Sequence, residues 1–228
     1  MPTIEVCLRP SSAENTAALE AHVLDFVAGL SPFYEGQEFN PTDHSALAPH
    51  VRHIRLFDVS LPTSVIHLHH LYDEEAAEEG VDADSETVAF QLWTLPAAEY
   101  DGLWESLVYD DEVKPRLLRY VSTAMRFSQL GVDARVVQWN RVVLLHGPPG
   151  TGKTSLCKGL AHKLAIRMSS IYAQGHLIEV NAHSLFSKWF SESGKLVSVQ
   201  QPPSPLPRDP MAVQRCGPAE ATRVQPPI

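Results

Sequence analysis

The sequence predicts an α+β module over residues 1–95, followed by a truncated α/β P-loop NTPase domain over 139–197. A linker and helical entry at 96–138 joins them, and a disordered Pro-rich tail covers 198–228. Three observations carry this prediction. The run Gly147-Pro148-Pro149-Gly150-Thr151-Gly152-Lys153-Thr154 is a complete phosphate-binding loop, with an apolar run before it and helical spacing after it. The front hundred residues alternate short strand-like runs with one amphipathic helix. Residues 199–228 hold eight prolines and no apolar period, the composition of a chain that cannot bury a core.

Taken in order, residues 4–9 alternate and predict a strand. Ser11 and Glu14 have the spacing of a capping box. Leu19, Val23, Phe26, Val27 and Leu30 then form one apolar helical face, ended by Ser31-Pro32. Residues 51–59 alternate again, with Val51, His53, Arg55, Phe57 and Val59 on one side. Strands are predicted at 64–72 and 87–95. The stretch between them, 73–86, is rich in acids and free of Lys and Arg, so it reads as a solvated hairpin loop or a disordered excursion. Asp73-Glu74 follows an apolar run as an ATPase acidic pair would, but three histidines interrupt that run and it precedes the phosphate loop. His67, His69 and His70 lack the Cys or second His pair of a metal site and read as strand-face residues. Leu103, Trp104, Leu107 and Val108 form an apolar patch. A helix is predicted over 111–127, with Pro115 in its first turns and Val113, Leu117, Tyr120, Val121 and Ala124 on one face. Residues 141–146 predict a buried strand, 154–166 a helix, 177–181 a strand and 184–196 a helical stretch.

The bulk properties narrow the classes. The chain has 228 residues and 44% hydrophobic content, enough for one or two globular domains. It contains no run of 18 apolar residues, and its first residues lack the basic start and apolar core of a signal peptide. Three widely spaced cysteines, Cys7, Cys157 and Cys216, favour a reducing compartment. Cys157, one turn into the helix after the loop, reads as packing. The net charge of −9 is uneven: residues 1–100 carry 3 Arg, no Lys and 17 acids, whereas 101–228 carry 15 basic and 10 acidic side chains. A front half so short of cations is a poor direct binder of nucleic acid.

The loop points to nucleotide chemistry for a physical reason. A backbone wrapped around phosphate needs close approaches that side chains block, and Gly147, Gly150 and Gly152 permit them. The exposed N–H groups and the helix N-terminus make an anion site. Lys153 is placed to reach the β- and γ-phosphates of ATP, and the Thr154 hydroxyl to hold Mg²⁺, with Ser155 beside it. A glycine-rich turn that binds nothing is the bland alternative.

The flanks carry a more specific resemblance. Leu95-Pro96-Ala97-Ala98-Glu99, Gly102-Leu103-Trp104-Glu105-Ser106-Leu107-Val108-Tyr109-Asp110, Trp139-Asn140-Arg141-Val142-Val143-Leu144-Leu145-His146 and Ser184-Leu185-Phe186-Ser187-Lys188-Trp189-Phe190-Ser191-Glu192-Ser193-Gly194-Lys195-Leu196-Val197 resemble the pachytene checkpoint family of AAA+ ATPases, the thyroid-receptor-interacting group. The resemblance covers about 94–197 closely and 1–93 by order of elements. It implies hexameric rings that spend ATP to remodel HORMA-domain proteins in the spindle checkpoint and on meiotic chromosome axes. It implies that the front module binds a HORMA-fold adaptor or substrate, and that Trp189 and Phe190 grip the substrate in the ring's pore. The implied location is the nucleus, at chromosomes and kinetochores, although no Lys/Arg-rich import run is present and the cytoplasm remains open.

The family's second acidic motif, sensor residue, arginine fingers and helical lid have no match after Val197, so no catalytic residue is assigned and hydrolysis by this chain alone is not expected. By the same resemblance the sheet order is 5-1-4-3-2. The partners of the strands at 141–146 and 177–182 are then missing, and 139–197 is expected to be unstable or sticky. Two other function classes compete. One is a non-catalytic interaction module acting through the front domain. The other is a small nucleotide kinase, disfavoured because Arg167 alone does not supply an Arg-clustered lid.

Overall fold

The computed structural model describes residues 3–12, 16–30, 34–57, 65–80, 88–110, 112–133, 135–172 and 174–181. The predicted helix at 184–196, Trp189, Phe190 and the Pro-rich tail lie outside them, as does Glu14 of the capping box. The chain divides into two compact units, residues 1–74 with 94–176 and residues 75–93 with 177–228.

The first unit is built on a four-stranded sheet. Strand β1 (Thr3–Leu8) is followed by helix α1 (Thr16–Ala28), β2 (Glu38–Phe39), β3 (Val51–Phe57) and β4 (Val65–His70). The sheet order is β2-β3-β1-β4, with β1 antiparallel to β3 and parallel to β4. Period-two alternation sends Ile4, Val6, Ile54 and Leu56 to one face, where they pack on Leu19, Val23 and Val27 of α1. Phe26, Leu30, Ile66 and Leu68 close this core at its margin. The apolar helix face read from the sequence is therefore the one that packs. Each fully buried aliphatic side chain here contributes roughly 1.5–3 kcal/mol.

The opposite face is polar and yet buried. The register aligns Arg55, Glu5 and His67 in one row and His53, Cys7 and His69 in the next. Glu5, Cys7, His53, Arg55 and His69 are all buried. The elements that meet this face come from the later part of the chain. Helix α4 (Lys153–Arg167) contacts β4, and a 3₁₀ turn at Ala98–Tyr100, α2 (Leu103–Ser106) and α3 (Val113–Gln129) pack on α4. Arg55 donates to Asp101 Oδ1 at 2.5 Å and to Glu38 Oε2 at 2.6 Å. Burial by itself would raise the Asp101 pKa, but the Arg55 hydrogen bond and charge hold it below the usual carboxylate range. Helix α4 brings Lys163, whose Nζ donates to Glu5 at 2.6 Å and Glu105 at 2.7 Å.

Helix α4 is buried over most of its circumference, through Leu156, Gly159, Leu160, Ala161, His162, Lys163, Leu164 and Ile166. It approaches α2 closely at Gly159, where an added Cβ would lie 3.4 Å from the Trp104 backbone. Gly159→Val is expected to cost about 1–3 kcal/mol by overpacking, read as a fall in the thermal midpoint. An unchanged midpoint would mean that α2 yields freely. Lys114 of α3 donates to the carbonyls of Trp104 and Leu107 at 2.6 and 2.9 Å, satisfying the end of a one-turn helix.

A second sheet, of β5 (Ala77–Gly80), β6 (Val88–Leu95) and β7 (Gly175–Val180), has the order β5-β6-β7 over the described residues. Strand β5 lies within the acid-rich stretch read as loop or disorder. It pairs antiparallel with β6, and Gln91 donates to Glu78. A ladder needs only backbone groups, so an acidic sequence can supply an edge strand.

Three other expectations are corrected. Residues 141–146 form no strand. Val142 and Leu144 are 74% and 73% exposed. An apolar run becomes a buried strand only where a neighbour completes its ladder, and none of the described strands pairs with this one. In α3 the buried stripe is Leu118, Val121 and Ala124, while Val113 and Tyr120 are exposed. Tyr120 instead donates its hydroxyl hydrogen to the Asn140 carbonyl at 2.7 Å. Val108 is 93% exposed and leaves the apolar patch, in which Trp104 is the buried anchor.

Candidate functional site: the phosphate loop and its helix

Residues 147–152 link the extended segment to α4 as a tight loop. Gly150 and Gly152 have φ of 78° and 74°, conformations that side chains disfavour, and Gly147 has φ of 154°. Gly152 caps α4 in the left-handed conformation, and the Leu156 N–H bonds its carbonyl at 2.8 Å, closing the first helical turn. Lys153 begins the helix and folds back over the loop. Its Nζ donates to the carbonyls of Gly147 and Pro148 at 2.9 and 2.6 Å, and lies 3.2 Å from Thr151 Oγ1. Thr151 Oγ1 in turn donates to the Pro148 carbonyl at 2.9 Å.

The structure places Gly147, Pro148, Thr151, Gly152 and Lys153 in one loop, with Pro149 and Gly150 at the exposed tip and Thr154 and Ser155 in the first turn of α4. The helix start supplies N–H groups without intrahelical acceptors, beside the loop over which Lys153 folds. These residues fit a nucleotide polyphosphate. The loop N–H groups and Lys153 would hold its charge, and the Thr154 hydroxyl would be the candidate Mg²⁺ ligand.

Two features of the site escaped the sequence reading. Tyr109 donates its phenol hydrogen to the Thr151 carbonyl at 2.9 Å. The far end of α4 is clamped by an ion network. Lys163, itself 2% exposed, bonds Glu5 and Glu105, Arg167 Nε lies 3.5 Å from Glu5, and the Lys163 ammonium sits 3.4 Å from the centroid of the Phe57 ring. Burial would raise the Glu105 pKa, but the charge and hydrogen bond of Lys163 lower it. No sequence signal pairs residue 5 with residue 163.

Of the β4 histidines, His67 and His69 lie in register with this polar layer, whereas His70 is exposed. Burial pushes His69 down to about 3 and His162 of α4 down to about 4, so both are neutral. No group of three potential metal ligands occurs among the described residues. Burial also pushes the Cys7 thiol up to about 12, which removes it from thiolate chemistry.

Known proteins resemble this chain in sequence and in fold. Residues 143–199 match the model of the ATPase family associated with various cellular activities (AAA). An AAA domain implies a nucleotide site, typically with Mg²⁺. The chain is similar to the pachytene checkpoint protein 2 homolog of Danio rerio, 45% identical over 203 residues, covering 86% of this chain and 48% of that protein. It is 60% identical over 142 residues to the Gallus gallus homolog, covering 62% of this chain and 33% of that one. The solved structure of C. elegans PCH-2 superposes with a TM-score of 0.68 at 31% identity, over 87% of this chain and 54% of that one. The chain therefore spans about half or less of the length of the curated relatives it matches.

Proposed function

We propose that the chain, similar as it is to pachytene checkpoint protein 2 homologues, takes up ATP with Mg²⁺ on residues 147–155 as part of an ATPase that remodels HORMA-domain proteins. One observation supports the nucleotide step above all. The positive-φ glycines, the helix start and Lys153 converge on one small loop. Lys153→Ala is expected to weaken Mg-ATP binding by at least tenfold in isothermal titration, because the loop loses its only lysine. Equal affinity in both proteins would sink the nucleotide reading.

The remodelling step, the hexameric ring, the action at chromosomes in the nucleus and the grip of Trp189 and Phe190 are proposed from the family. For this chain the proposal is nucleotide binding on that loop, since positioning and charge stabilisation are nearly all of phosphoryl-transfer chemistry.

A second reading has its own support. The four-stranded module and α4 belong to one compact unit, so the chain carries a folded surface that does not depend on hydrolysis. On this reading it binds a HORMA-fold adaptor or substrate as an interaction module. The full chain suits the capture experiment better than residues 1–95, because removing α4 would strip Glu5 of Lys163. No retention of HORMA-domain proteins by the full chain would argue against it.

A further inference from the structure

We propose that Tyr109 is a positioning residue of the phosphate loop, fixing the peptide between Thr151 and Gly152 so that its N–H is presented to phosphate. The inference rests on the nucleotide reading above and adds to it a residue outside the loop. Tyr109 lies 42 positions before Thr151, on the extended segment after α2, and donates its phenol hydrogen to the Thr151 carbonyl at 2.9 Å. The Thr151 carbonyl and the Gly152 N–H belong to one planar trans peptide, in which the two groups point in opposite directions. Anchoring the oxygen on the phenol therefore turns the N–H to the other side of the chain.

Two further observations converge on the same peptide. A Cβ at Gly152 would lie 2.8 Å from the Tyr109 hydroxyl oxygen, so the phenol uses the space that glycine leaves. Glycine at 152 thus meets two demands at once, a φ of 74° and the close approach of the phenol. The carbonyls of Gly147 and Pro148 are taken by Lys153 and Thr151. Lys153 can exchange those bonds for phosphate oxygens without losing contacts. The Thr151 carbonyl has no such exchange available, since an oxygen turned toward an anion would repel it. A fixed donor from outside the loop removes that unfavourable orientation before the ligand arrives, which is preorganisation in the usual sense.

The test uses the full chain and its Tyr109→Phe variant, which keeps the ring and removes the hydroxyl. Titration with Mg-ATP, Mg-pyrophosphate and adenosine separates the roles. One neutral hydrogen bond is worth about a fivefold change in affinity. We expect Tyr109→Phe to weaken Mg-ATP and Mg-pyrophosphate by about that factor, with adenosine binding and the thermal midpoint without ligand unchanged. Wild-type affinity for Mg-pyrophosphate in the variant overturns the proposal and leaves the nucleotide reading intact. A loss confined to adenosine overturns it too, since Tyr109 would then serve the base. If the wild-type chain binds neither phosphate ligand, the nucleotide reading itself fails and the proposal falls with it. As a second measure, amide exchange over 147–153 without ligand should quicken in the variant, and unchanged exchange there counts against the proposal.

Discussion

Replacing Lys163 with methionine is expected to lower stability by roughly 3–5 kcal/mol, the cost of breaking a buried ion pair by removing one partner. Lys163 and Glu5 are both 2% exposed, and the ammonium is shared with Glu105. Methionine keeps most of the aliphatic stem, so the loss isolates the charge. It leaves the Glu5 carboxylate with Arg167 at 3.5 Å, a longer contact than the 2.6 Å bond it loses. For a protein of this size the change should appear as a fall of about 10 °C in the thermal midpoint. The double variant Lys163→Met with Glu5→Leu should recover a large part of that loss, since removing both members of a buried pair is often close to neutral. A single variant within about 1 kcal/mol of wild type, judged against that range, would show that the network is hydrated and adds little. Because Lys163 lies on the helix that begins at the phosphate loop, the same variant should also speed amide exchange in β1.

The parts of the fold legible in the sequence are those where the signal is local. The loop glycines state their backbone conformations directly, and the Lys-Thr pair at the helix start follows from phosphate chemistry. Helix α1 shows its buried face because Leu19, Val23 and Val27 repeat at helical spacing. The second buried face of the sheet was illegible for the opposite reason. Glu5, His53, Arg55 and His69 look like residues of a solvated face. They are buried only because Lys163, Asp101 and Glu105 arrive from positions that no periodicity connects to them. Residues 141–146 fail in the reverse sense. Their composition states a buried strand, but burial depends on ladder partners that the run itself does not encode. Strand β5 was hidden because its ladder with β6 uses backbone groups that every sequence has. Tyr109 shows the same limit at the site, since its role depends on one peptide plane 42 residues away.

The buried polar layer also predicts how the protein meets acid. His69 and His162 are held neutral, chiefly by burial. For His69 the charge of His162 adds to the effect, and for His162 nearby Asp101 pulls the other way without cancelling it. Their folded pKa values of about 3 and about 4 lie below the ordinary 6.5, so the unfolded chain takes up protons first. Stability from these groups is fully present above about pH 6.5 and is lost as pH falls toward 4. Each contributes a loss of about 1.4 kcal/mol per pH unit in that window, so the pair should cost about 4 kcal/mol by pH 5. His53, lowered by burial and by Arg55, shifts the same way. Asp101 and Glu105, whose pKa values are depressed, add their own loss only below the carboxylate range, so the histidines act first. Urea midpoints measured from pH 7.5 to 4.5 should fall steeply below 6.5, and His162→Leu should make that slope shallower. A midpoint constant from pH 7 to 5 would mean that these rings reach water, and that the polar face of the sheet is not sealed by α4.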